Sequence, residues 1–173
     1  IGACARSLKN FGFSKLHIVS PKQSWPNNKA KATSVGAYDV IKKAKIYNNT
    51  YDAINDFNIV ISLSARKRDI NKKHIGITTF LEKIKKIKSK KIGLMFGPEA
   101  SGLSNLDISY SNYVVQIPSS SKFKSMNLSH SVSLVSYEIF KLNNFKSTKQ
   151  LAFNKRIGQK GKLASILKLL KKN

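Results

Sequence analysis

The sequence predicts an α/β fold, a parallel sheet flanked by helices. Three observations carry that expectation: short apolar runs rich in β-branched residues, segments of helical spacing between them, and a length of 173 residues that suits one core rather than two. The expected organisation is one domain over residues 1–145, followed by a basic linker and a short C-terminal helix over residues 146–173.

Taken in order, Ala3 to Phe11 reads as a helix whose final Gly12 suits a helix C-terminus. Leu16 to Val19 is the first strand. Tyr51 to Phe57 has helical spacing, and Ile59 to Leu63 is short and apolar enough for a buried strand. A helix over Thr79 to Ile87 separates that strand from Ile92 to Phe96, and Tyr113 to Ile117 is the fourth strand. The strongest helix is Leu128 to Leu142, where Leu128, Val132, Val135, Ile139 and Leu142 recur at steps of four and three. Residues 143–160 lose apolar periodicity and read as a linker, and Leu163 to Leu170 has the spacing of a short basic helix. In open parallel sheets ligands sit beyond the carboxyl ends of the strands, which directs attention to loops 20–28, 64–74, 97–104 and 118–127.

The charge balance points to a polyanion. Against 32 Lys and Arg stand 8 Asp and Glu, a net charge of +24, of which +11 falls in residues 119–173. AT-rich coding would enrich Lys, Asn and Ile together, and only four of the basic residues are Arg; it would favour Glu as well, and Glu is scarce. Nucleic acid is therefore the first partner to expect.

The single Cys4 excludes an internal disulfide, and His17, His74 and His130 are too scattered to suggest a metal site. No apolar run reaches the length of a membrane span, so a soluble cytoplasmic protein without metal is expected. The first residue is neither methionine nor part of a signal peptide, so the true N-terminus is expected upstream of it. Neither a Gly-x-Gly-x-x-Gly fingerprint nor a Walker loop follows any strand, which removes dinucleotide binding and P-loop chemistry from consideration.

Three segments at strand ends hold the candidate chemistry. The first, Ile1 to Gly12, carries Arg6 among small residues that permit close backbone approach. The second, Phe96-Gly97-Pro98-Glu99-Ala100-Ser101-Gly102-Leu103-Ser104, places a carboxylate at the mouth of the sheet and a potential helix cap at Ser104. The third, Ile117 to Leu128, brings Ser125, Met126 and Asn127 to the start of the strongest helix. Taken singly, Arg6 reads as a solvated helix residue and Asn127 or Ser125 as a cap. The combination is what departs from that reading.

These three segments, in this order, resemble the motifs of the SPOUT superfamily of S-adenosylmethionine-dependent RNA methyltransferases, in its TrmH and TrmJ branch, over about residues 1–145. The segment Leu63-Ser64-Ala65-Arg66-Lys67-Arg68 is similar to a loop of TrmJ-type enzymes, which modify C or U in the tRNA anticodon loop. Pro98 departs from the Arg common there.

The resemblance implies a first strand upstream of Ile1 and a SPOUT fold with a C-terminal trefoil knot, one of the rare exceptions to unknotted chains. It implies ribose 2′-O-methylation of tRNA, with S-adenosylmethionine held by Leu63, Ser64, Ala65, Gly97, Ile117, Ser125 and Met126. Arg6, Glu99, Ser125 and Asn127 would serve the reaction. A guanidinium is a poor base, so a positioning and charge-stabilising role suits Arg6, with Glu99 holding Arg6 or the loop. Arg66, Lys67, Arg68, Lys72, Lys73 and the basic tail would follow the RNA backbone. The branch also implies a homodimer, for which the apolar face from Leu128 serves either as contact or as core. Two other readings stand beside this one: an rRNA methyltransferase of the TrmH type, and a catalytically silent RNA-binding domain.

Overall fold

The strand Ile59–Leu63 (β3) is apolar at nearly every position because both faces of it are covered. The structure, a computed structural model, describes residues 1–65, 72–87 and 91–144. Before β3 come α1 (Gly2–Asn10), β1 (His17–Val19), α2 (Asn28–Thr33), α3 (Tyr38–Lys42), β2 (Lys45–Tyr47) and α4 (Thr50–Ile54). After it come β4 (His74–Gly76), α5 (Ile77–Lys86), β5 (Ile92–Phe96), α6 (Asn105–Ser109), β6 (Tyr113–Gln116) and α7 (Leu128–Asn144).

The described strands form two parallel sheets. One pairs β1 with β2, and the other runs in the order β4-β6-β3-β5. Successive side chains of a strand point to opposite faces, and the register sorts the core accordingly. Ile61 and Leu63 of β3 and Val115 of β6 join Phe80 of α5 and Val135 of α7 on one face. Val114 of β6 and Met95 of β5 meet Ile108 of α6 and Leu103 on the other. The Ser62 hydroxyl, buried between Met95 and Val114 on the neighbouring strands, has no hydrogen-bond partner among the described residues.

The apolar stripe of α7 is therefore core: Val132 and Val135 are buried and Ile139 packs against the same cluster. Leu134 and Tyr137, each 41% exposed, lie off that stripe. The opposite side of α7 receives α1, with Phe11 against Tyr137 and Phe140 at ring separations of 5.7 and 5.9 Å. On its other flank α1 meets α2 so closely that a Cβ on Gly2 would strike the Thr33 side chain and the Ala30 carbonyl. Ala5, Ala30, Val40 and Ile41 make the small core of this half.

The four anticipated strands are present, one residue shorter at the start of β1 and at the end of β6. The helix expected over Tyr51 to Phe57 stops at Ile54, since the chain turns to lay the Phe57 ring across Gly93 and beside His17. Two strands and two helices went unanticipated: β2, β4, α2 and α3. Each spans only three to six residues, too few to establish a period. The linker and helix expected beyond residue 145 lie outside the described residues. Among the described residues no helix is long and apolar enough to cross a membrane.

Candidate active site

Three parallel strands end side by side at Leu63, Phe96 and Gln116, and the loop after β5 is tightly constrained. After β5 the Gly102 amide donates to the Pro98 carbonyl at 2.7 Å, and Gly102 itself adopts a left-handed φ of +69°. This turn folds back so closely that a Cβ on Gly97 would collide with the backbone of Gly102 and Leu103. Only glycine fits at position 97. Ser104 then caps α6 in a reciprocal box: its hydroxyl accepts from the Asp107 amide while the Asp107 carboxylate accepts from the Ser104 amide and hydroxyl. The cap anticipated from the sequence is real, and it coexists with a carboxylate at the sheet's mouth.

Between these strand ends lies a cavity of about 530 Å³, within the size range of small-molecule sites. The seven positions Leu63, Ser64, Ala65, Gly97, Ile117, Ser125 and Met126 all line it. Phe96 and Leu128 add apolar wall, Ser119 and Ser131 add hydroxyls, and Glu99 and Lys124 are its charged side chains. Ser131 was not singled out from the sequence, although it stands one helical turn beyond Asn127 and Leu128. Nor was Lys124, which in so basic a chain carries no distinguishing signal. An apolar wall for an aromatic base, hydroxyls for a ribose, and strand-end backbone with a glycine that allows close approach fit the donor and acceptor set of S-adenosylmethionine.

Asn127 joins two of the three motifs. Its Nδ2 donates to Glu99 Oε1 at 2.7 Å, while its Oδ1 accepts from the Ser129 amide at 2.9 Å and the Ser129 hydroxyl at 2.7 Å. One amide thus caps α7 and holds the Glu99 loop. Glu99 was expected to hold Arg6 or its own loop. Its carboxylate accepts from Asn127, and no bond to Arg6 is present among the described residues.

Motif one reaches the same place from α1. The Ser7 hydroxyl donates to the Ser129 carbonyl at 3.4 Å, across the N-terminus of α7. Burial pushes the Cys4 thiol above its ordinary value, and the nearby Glu99 carboxylate adds to that shift. Arg6, between these two, is exposed and makes no hydrogen bond or ion pair among the described residues. Its guanidinium is available to a ligand.

Of the expected RNA contacts, Arg66, Lys67 and Arg68 lie outside the described residues. Lys73 is exposed, whereas the half-buried Lys72 donates to the Ser111 carbonyl at 2.8 Å and so also anchors the chain entering β4. No group of three or more His, Cys, Asp or Glu is placed to hold a metal ion among the described residues.

A family model described as the SpoU rRNA methylase family matches residues 1–137. The tRNA (cytidine-2′-O-)-methyltransferase TrmJ of Methanocaldococcus jannaschii is 42% identical over 143 residues, 81% of this chain and 61% of that protein. The tRNA (cytidine/uridine/adenosine-2′-O-)-methyltransferase TrmJ of Pseudomonas aeruginosa is 32% identical over 166 residues, 87% of this chain and 63% of its own. The chain spans about three fifths of the length of these curated relatives. Among solved structures, TrmJ from Z. mobilis superposes with a TM-score of 0.77 at 27% identity, covering 99% of this chain and 72% of that one.

Proposed function

The chain belongs to the SpoU methylase family, and from that premise we propose that it transfers a methyl group from S-adenosylmethionine to a ribose 2′-hydroxyl of tRNA, at a cytidine or uridine of the anticodon loop. The observation that carries this reading is the cavity at the carboxyl ends of β3, β5 and β6, with Glu99 on its wall; α1, which carries Arg6, is tied to the start of α7 through Ser7, although Arg6 itself is not among the lining residues. The relatives named as tRNA 2′-O-methyltransferases support the choice of RNA.

Leu63, Phe96, Ile117 and Met126 would sandwich the adenine, with Gly97 and the strand-end backbone reading its edge. Ser64 and Ser125 would meet the ribose hydroxyls. When bound, the cofactor would supply an electrophilic methyl group, its carbon–sulfur bond breaking as the carbon–oxygen bond forms and the hydroxyl proton passing to solvent, so the protein's task is to bring the 2′-oxygen in line and to stabilise the charge it gains.

Arg6 does that work. Its fork engages the phosphate next to the target ribose and lowers the energy of the developing alkoxide. Asn127 acts at one remove, by fixing Glu99 and the start of α7. The trefoil threading, a homodimer and a cytoplasmic setting belong to the same reading.

The test is to incubate the full chain with S-adenosylmethionine and either tRNA or rRNA, then map 2′-O-methyl groups by nucleotide. Methylation of a pyrimidine in the anticodon loop is the expected result. Methylation confined to rRNA, or none, overturns it.

A further inference from the structure

The loop joining β6 to α7 contains a segment, Lys122 to Lys124, whose side chains make no hydrogen bond, ion pair or ring contact among the described residues. Phe123 is 74% exposed, a larger fraction than any other exposed large hydrophobic among the described residues, and it stands between Lys122 and Lys124. The backbone beneath them is held: the Phe123 amide donates to the Ser120 carbonyl at 3.2 Å and the Lys122 amide to the Ser120 hydroxyl at 3.3 Å. Ser119 and Lys124, which precede and follow Phe123 in the chain, both line the cavity. The turn therefore carries an unpartnered ring between residues that belong to the cavity wall.

A single exposed hydrophobic residue needs no explanation by itself. What distinguishes this one is the company it keeps. Single-stranded RNA presents flat base faces joined by phosphates, and proteins grip it with aromatic rings for the bases and cations for the backbone. We propose that Lys122-Phe123-Lys124 is a single-stranded RNA clamp: a nucleobase flanking the modified nucleotide stacks on Phe123, and the phosphates to either side meet Lys122 and Lys124. The inference deepens the reading of the chain as an enzyme acting on an RNA loop, and rests on it. An unpaired loop nucleotide can leave its neighbours and lie flat on a ring, whereas a base inside a duplex cannot. The clamp thus supplies a reason for the enzyme to prefer loops.

The experiment compares binding of a short single-stranded RNA, and of the same RNA carrying abasic sites, to the full-length wild-type protein and to Phe123→Ala, Phe123→Trp and Lys122→Gln/Lys124→Gln. The exposed ring contributes nothing to the core, so thermal melting of Phe123→Ala should match the wild type. Phe123→Ala should bind the intact RNA about ten-fold more weakly, and Phe123→Trp should restore it. The abasic RNA should bind wild type and Phe123→Ala alike. The double lysine variant should flatten the dependence of log affinity on log salt by about 0.7 per lysine removed.

Equal affinity of Phe123→Ala and wild type for the intact RNA overturns the proposal. So does an altered monomer–dimer equilibrium of Phe123→Ala in sedimentation with RNA affinity unchanged, which would make the segment an interface between copies. If methyl transfer occurs and Phe123→Ala binds RNA normally, this inference fails alone; absence of both RNA binding and methyl transfer removes the functional reading as well.

Discussion

The two sheets of this protein divide its labour. The four-stranded half, from β3 to α7, has helices packed on both sides of its sheet, and every residue expected to hold a cofactor lies at a strand end or in the loop that follows one. The two-stranded half is smaller and wetter: Lys45 and Ile46 of β2 are exposed, and its core is a cluster around Ala5, Ala30, Val40 and Ile41. Yet it is this half that brings Arg6, through α1. A ligand pocket needs rigid walls, which buried strands provide. A residue that must reach a large, variable RNA is better placed on an exposed helix at the pocket's edge.

The sharpest way to break this comparison is to make the same substitution in each half. In Gly97→Ala the new methyl group meets fixed backbone on Gly102 and Leu103, so the loop must move. The expected cost is about 3 kcal/mol in a denaturant melt, together with loss of measurable S-adenosylmethionine binding. Gly12→Ala, at the exposed end of α1 with a φ of +75° and no neighbour within 4 Å, should cost about 1 kcal/mol of backbone strain and leave cofactor binding intact.

Arg6→Lys separates the halves by kinetics. It keeps the charge and loses the fork, so methyl transfer should fall about 100-fold while cofactor affinity stays at the wild-type value. Wild-type turnover in this variant would remove Arg6 from the reaction. Asn127→Ala, which strips the cap of α7 and frees Glu99, should cost about 1–2 kcal/mol in a thermal melt. It should also weaken methyl transfer less than Arg6→Lys does, because Asn127 acts through Glu99 and the start of α7 rather than on the RNA itself.

How much of this was legible in the sequence follows from the same division. β3 and β5 appeared with their observed limits because each is a short run that is apolar at nearly every position, β3 buried from Val60 to Leu63 and β5 half-buried throughout. α7 was visible because its seventeen residues span several turns. The short elements of the two-stranded half carry neither signal: in Lys45–Tyr47 a single apolar residue sits between a lysine and a tyrosine. The cavity walls were readable only as a resemblance among motifs. The collision that forces Gly97 depends on the Gly102 turn folding back, and the bond from Asn127 to Glu99 spans 28 positions. Neither is written in local spacing.

The smallest expected effect concerns a seam between the halves. The Thr50 hydroxyl of α4 donates to Asp107 Oδ1 of α6 at 2.6 Å. Burial raises the Asp107 carboxyl, but the bonds from Ser104 and Thr50 outweigh it and hold the group below its ordinary value. A lowered folded-state value means that the stabilisation is fully present above the unfolded value, about 3.9, and is lost as pH falls through the folded one. Acid titration of stability should therefore show a loss below about pH 4 that is smaller in Thr50→Val. An identical acid limb in the two proteins would show that the seam carries no linkage.

The division of labour is tested most directly by calorimetric titration of S-adenosylmethionine into the wild type, Arg6→Ala and Gly97→Ala, each first shown to be folded. The account predicts saturable binding of equal affinity to the wild type and Arg6→Ala, and none to Gly97→Ala. No binding to the wild type, or equal weakening in both variants, would contradict it.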